Sequence, residues 1–116
     1  MRIKIHVDGK TLLATLNDSE ASRDFASMMP LTLQLKDYAG AEKISDLPAR
    51  LSTSGSPNGS SASKGDLCLY APWGNLAIFY KTQSYAPGLV KLGHLDAPET
   101  FPFNEKAMSA IFEKAD

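Results

Sequence analysis

The stretch "LYAPWGNLAIFYK", residues 69–81, joins two short apolar runs through Pro72-Trp73-Gly74-Asn75 and holds the only tryptophan of the chain. Apolar runs of this length, rich in aromatic and aliphatic residues and bounded by Pro and Gly, read as buried strands. Residues 66–71 and 75–81 are therefore expected to form a hairpin, the most apolar of the chain. A tryptophan at the tip of such a turn cannot be covered by its own two strands. Either a neighbouring element packs over it and it plugs the end of a barrel, or it is held out as a recognition surface. Both readings stay open here, because Trp and Tyr suit a core and a binding face equally well.

Working outward from this hairpin, the amino-terminal "IKIHVDGKTLLATL" alternates apolar and polar residues around Asp8-Gly9, a strong two-residue turn signal. It reads as a second hairpin. In "NDSEASRDFASMMP", Asn17 and Glu20 have the spacing of a capping box, and Ala21, Phe25, Met28 and Met29 recur at helical spacing until Pro30. Residues 31–36, "LTLQLK", alternate again, and a short strand is expected around residues 43–47, before Pro48. Residues 52–65, "STSGSPNGSSASKG", carry too little apolar surface to offset the entropy of ordering them and are expected to form a mobile surface loop. "GLVKLGHL", residues 88–95, supplies a further strand, with Gly93 a bulge or a point of close approach. In the tail, Asn104 reads as an N-cap, and Met108, Ile111, Phe112 and Ala115 fall on one face of a closing helix. Many short strands with two helices favour a small, closed β-barrel with the helices at its ends. A chain of 116 residues without internal repeats makes one domain.

The bulk chemistry narrows the function classes. The apolar fraction of 43% and charged fraction of 22% are those of an ordinary globular domain. A formal net charge of −1, with no run of Lys or Arg, argues against nucleic acid, which needs a clustered basic face. Cys68 is the sole cysteine, so neither an intrachain disulfide nor a cysteine-based zinc site is available. It sits in an apolar run, where an inert buried thiol is expected. No apolar stretch approaches the ~20 residues that span a bilayer, and the amino terminus lacks a signal-type run. A cytoplasmic protein is expected, although a signal segment removed beforehand would leave no trace.

The segments "GDLCLYAPWGNLAIFY", "SYAPGLVKLGHLD" and "ASRDFASMMPLTLQLKDYAGAEKISDLP" together resemble the small bacterial cyclophilin-like domains, and the resemblance covers nearly the whole chain. It implies a mainly β fold, a compact cyclophilin-type barrel of about eight strands with two helices. The prolyl isomerases of the cyclophilin class carry a Phe-His-Arg strand, whose arginine acts on the twisting amide, and a Phe-Met-x-Gln-Gly-Gly segment. Neither motif occurs here. Arg50, in "LPARLS", is the nearest arginine in chain order and the one candidate for that catalytic role. "LAIFYK" resembles the strand that gives the proline pocket a phenylalanine, which places Phe79 or Tyr80 in a pocket wall.

Other chemistry is thinly supplied. His6 and His94 lie on separate expected strands, and a metal or catalytic role would require Asp66, Asp96 or Glu99 to converge on them. Most serines fall in the 52–65 segment, and its "GSPNGS" lacks the Lys-Ser/Thr ending and following helix of a phosphate-binding loop. No metal or cofactor is expected. Around Trp73 the sequence gathers Tyr70, Asn75, Phe79, Tyr80 and Tyr85 as candidates for an aromatic-lined groove.

Three functions fit these residues. The first is a binding module that holds a small molecule or a proline-containing peptide in that groove without efficient catalysis. The second is a weak or divergent peptidyl-prolyl isomerase. The third is an accessory domain that docks on a protein partner, the resemblance suggesting a redox protein of flavodoxin type. Edge strands and an aromatic tip allow a weak dimer beside the monomer.

Overall fold

A computed structural model describes residues 1–115. Eight antiparallel strands close into a barrel. In chain order these are β1 (Arg2–Val7), β2 (Lys10–Leu16), β3 (Leu31–Tyr38), β4 (Glu42–Asp46), β6 (Asp66–Tyr70), β7 (Asn75–Phe79), β9 (Leu89–Leu95) and β10 (Ala107–Lys114). Around the barrel they run β1-β10-β3-β4-β7-β6-β9-β2. Two further strands, β5 (Gly59–Ala62) and β8 (Gln83–Pro87), pair with each other outside it. The helix α1 (Glu20–Ser27) follows β2.

Period-two patterning does most of the specification. Ile3, Ile5 and Val7 on β1, and Leu12, Ala14 and Leu16 on β2, all face the interior. The intervening turn places Asp8 and Gly9 at positive φ, as a two-residue hairpin requires. Strands β6 and β7 differ, being buried on both faces. Leu67, Leu69, Leu76 and Ile78 join the barrel core, while Cys68, Ala77 and Phe79 form a second cluster with Ile44, Ala62 and Leu89. Ala62 of β5 and Ala86 of β8 belong to this outer cluster, so the two-stranded ribbon covers the barrel wall there. That cover explains why residues 66–70 and 75–79 are almost continuously apolar.

Gly93 is the close approach expected of it. A Cβ at that position would lie 2.1 Å from the Thr15 carbonyl oxygen and 2.8 Å from the Leu16 Cα, so β9 meets β2 only because the side chain is missing. The β6–β9 register shifts beside it, between Leu67 and Cys68.

Several elements differ from expectation. Among the described residues there is one α-helix, not two: residues 107–114 form β10, inserted between β1 and β3 where it completes the barrel. Within it Ala110 and Phe112 are buried and Ile111 is exposed, a strand pattern that good helix formers disguise. The remainder of the expected helix includes Asp116, outside the described residues. The only other helical element among the described residues is a single 3-10 turn, Pro98–Thr100. The N-cap of α1 is Ser19, whose Oγ accepts from the Ser22 N–H at 3.1 Å; Asn17 instead accepts from the Ser19 and Ser22 hydroxyls. Ala21, Phe25 and Ala26 on α1 enter the core, with Phe25 edge-on to Phe112 at 5.8 Å. The Ser/Gly-rich segment is not wholly a loop. Its residues 59–62 are β5, and Gly59 is buried because the Tyr85 ring and the Ala86 carbonyl occupy the space of a Cβ.

Candidate functional site

The outer wall of β4, β6 and β7 carries two cross-strand rows. One runs Tyr38, Glu42, Phe79, and the other Asp46, Asn75, Tyr70, Leu89, each residue opposite the next on the neighbouring strand. Between them lie Ile44, Ala77 and Cys68, and the last two are small. A cavity of about 230 Å³ opens here, lined by both rows except Asp46, together with Trp73, Gln83 and Ala86.

Trp73 bridges the rows. Its indole packs edge-on against Tyr70 (centroids 5.2 Å apart, 87°) and against Tyr38 (5.7 Å, 85°). The turn that carries it is tied down by hydrogen bonds from the Trp73 and Gly74 N–H groups to the Tyr70 carbonyl, with Gly74 at φ +72°. Even so, Trp73 remains 59% exposed. The tryptophan is therefore not a barrel plug. It is a braced wall of an open cavity, held at right angles to two tyrosines.

The polar groups of the cavity are few, and Asn75 Oδ1 and the Glu42 carboxyl lack partners among the described residues. Asn75 is buried and donates through Nδ2 to the Leu76 carbonyl at 3.1 Å, but its Oδ1 has no partner. Burial pushes the Glu42 carboxyl above its usual value, and the nearby Asp37 charge adds to the effect. Glu42 makes no ion pair or side-chain hydrogen bond among the described residues. Lys91, on the same face, is already paired with Asp66 at 3.1 Å.

An open groove of about 960 Å³ adjoins the cavity and shares Tyr38, Trp73 and Asn75 with it. Its origin lies in the pairing of β3 with β4, which holds only over Lys36–Tyr38 opposite Glu42–Ile44. Beyond that, Leu31–Gln34 and Ser45–Pro48 diverge as the two walls of the groove.

Of the residues singled out in the sequence, Trp73, Asn75, Phe79 and Tyr70 meet at this cavity. Tyr80 does not, because strand alternation turns it to the opposite face from Phe79. Its phenol donates to Asp37 Oδ1 at 2.5 Å, and its ring packs on Phe103 at 5.2 Å. Tyr85 lies on β8, 63% exposed, and is not among the lining residues. Arg50 is exposed and lines neither the cavity nor the groove. His6 is bonded to Thr11 Oγ1 (3.0 Å) and Glu113 Oε1 (2.9 Å), and His94 is exposed on β9. No three His, Cys, Asp or Glu residues converge as a metal site among the described residues.

Tyr38, Glu42 and Gln83 were not legible as site residues. The first two lie in "KDYAGAEK", which reads as a solvated charged loop. It is in fact the tight β3–β4 turn, with Ala39 and Gly40 at positive φ, and it sets both side chains on the outer row.

A family model for the Cyclophilin-like family matches residues 5–113. The chain belongs to that family. The solution structure of a hypothetical protein from Archaeoglobus fulgidus is similar to this cyclophilin-like barrel, with a TM-score of 0.64 over 99% of this chain and 95% of that one. The two are 15% identical, so the likeness is one of fold. No curated protein matches the chain. Among the described residues no helix is long and apolar enough to cross a membrane.

Proposed function

We propose that this cyclophilin-like barrel is a binding module that holds a small ligand, or one side chain of a peptide, in the cavity walled by Tyr38, Tyr70, Trp73 and Phe79. The observation that carries this reading is the braced, solvent-facing indole over a concave site lined by Asn75, whose buried Oδ1 lacks a partner. A folded protein leaves few buried polar atoms unpaired, and a ligand donor would satisfy this one. The adjoining groove supports a peptide in particular. Where β3 and β4 diverge, an extended segment has strand edges to follow and an aromatic cavity at the end of its path.

Efficient prolyl isomerisation is not part of this reading. No arginine, lysine or histidine of the described residues lines the cavity to serve as a cationic donor to the twisting amide. The alternative of a divergent isomerase rests on family fold alone, and that of docking on a redox partner on family association.

The test is to titrate proline-containing peptides and metabolite mixtures against Trp73 fluorescence, with a prolyl isomerisation assay alongside. Saturable binding that Trp73→Ala abolishes, without acceleration of the prolyl bond, is the expected result. Catalysis lost in Arg50→Ala would establish the isomerase reading instead.

A further inference from the structure

No described residue lining this cavity carries a positive charge, and of its N–H donors the Asn75 amide already donates to the Leu76 carbonyl and the Gln83 amide to the Ser84 carbonyl. Glu42 is a half-buried carboxylate with no cation beside it, and Asn75 offers an unpaired acceptor oxygen. Tyr38, Tyr70 and Trp73 line the opening, and aromatic rings carry a negative quadrupole that attracts cations. No lining residue among those described is basic.

An anion would meet the Glu42 charge. A neutral apolar occupant would shut out water while leaving the carboxylate and the Asn75 oxygen unpaired, which is costly. A quaternary ammonium would satisfy Glu42 and the rings but has no proton for Asn75. The volume of about 230 Å³ equals that of roughly eight waters at about 30 Å³ each, enough for a head group and a short stem.

We infer that the occupant is an alkylammonium head group keeping at least one N–H, paired with Glu42, donating to Asn75 Oδ1 and enclosed by Tyr38, Tyr70 and Trp73. This rests on the binding reading above. The same chemistry has two sources, a small free amine or a lysine side chain on a peptide laid along the β3–β4 groove.

The experiment uses the intact protein and the fluorescence of Trp73, its only tryptophan, at constant ionic strength. The probes are trimethylammonium chloride, its neutral isostere tert-butyl alcohol, tetramethylammonium chloride, Nα-acetyl-lysine methylamide and an acetyl-proline methylamide control. Trimethylammonium is expected to saturate at least about tenfold more tightly than tert-butyl alcohol, and more tightly than tetramethylammonium. Glu42→Gln should weaken the ammonium by about tenfold or more and leave tert-butyl alcohol unchanged. Tighter binding of the lysine derivative assigns a peptide source; tighter binding of trimethylammonium assigns a free amine. Equal affinity for the alcohol, or an ammonium affinity that Glu42→Gln does not alter, overturns the cation inference and leaves the binding reading intact. If tetramethylammonium binds as well as trimethylammonium, the role of Asn75 is overturned. Silence from every probe, the proline control included, contradicts both readings. The comparison of probes needs no variant, so a Glu42→Gln protein that failed to fold would not remove the test.

Discussion

The Trp73 indole meets the Tyr38 ring edge to face at 5.7 Å, joining the tip of the β6–β7 hairpin to the end of β3. This contact turns two strand ends into one wall, and it does so while leaving most of the indole in water. The division between fold and function follows from it. Removing the indole should weaken two aromatic pairs but open no cavity in the core. Trp73→Ala is expected to lower stability by only about 1–2 kcal/mol and to abolish ligand binding. Urea unfolding followed by circular dichroism, set beside a calorimetric binding titration, separates the two effects.

Lys43 is buried on β4, with its Nζ bonded to the Glu105 carbonyl, 3.2 Å from Asp37 Oδ1 and 5.5 Å from the Tyr80 ring centroid. It ties the β3–β4 turn to the loop before β10. Lys43→Ala strands a carbonyl and removes the partner of Asp37, so a loss of about 2–3 kcal/mol is expected. The urea midpoint should fall with an unchanged m-value.

The same network predicts a pH profile. The Tyr80 hydroxyl, backed by Lys43, holds the Asp37 carboxyl below its usual value near 3.8. A depressed acid stabilises the fold above its unfolded pKa, and that contribution is lost as pH falls through the folded value. The hydrogen bond to Asp37, then burial, pushes the Tyr80 phenol up from 10.0 to about 12. A raised group stabilises fully below its unfolded pKa, so this contribution disappears between about 10 and 12. Urea midpoints measured across pH should therefore decline at both ends. Tyr80→Phe should flatten the alkaline decline; an alkaline limb identical to that of the parent would exclude Tyr80 as its cause.

Cys68 sits in the outer cluster between β6 and the ribbon, fully buried, and burial pushes its thiol up to about 12. The reactive thiolate is thus scarce and unreachable at neutral pH. Iodoacetamide should label it only at the rate of opening or unfolding, and faster once urea exceeds the midpoint. Rapid labelling of the native protein would mean that the ribbon does not cover the wall.

Two glycines should respond differently to alanine. At Gly93 the new methyl would collide with β2 backbone, so Gly93→Ala is expected to cost more than about 3 kcal/mol, or to prevent folding. At Gly74 nothing lies within 4 Å, and only the positive φ resists, so Gly74→Ala should cost about 1 kcal/mol. Thermal melts of the pair check the ordering.

The sequence made the barrel legible where alternation coincides with a turn signal, as at Asp8-Gly9, or where a run is apolar throughout, as in β6 and β7. It misled at β10. Met108, Ala110 and Phe112 alternate as a strand does, but Ile111 and the helix-forming Ala, Glu and Lys around them also fit a helical face. Pairing with β1 and β3 decided the outcome, and no local signal reports such long-range pairing. Strand β5 was hidden for a related reason. Gly59-Ser60-Ser61-Ala62 has little strand propensity and is ordered by its partner β8. Half of the site was legible because it belongs to one hairpin. Tyr38 and Glu42 come from another, and only the β4–β7 register brings them beside Phe79.

The most direct test of the central claim is a heteronuclear NMR titration of the intact protein with the best ligand found by fluorescence. It would follow the Trp73 indole N–H and the Asn75 side-chain amide together. The account predicts that both move in step and saturate at one affinity, with the α1 amides unmoved. A ligand that binds while shifting neither group, or that perturbs only residues around Arg50 or Tyr85, would contradict it.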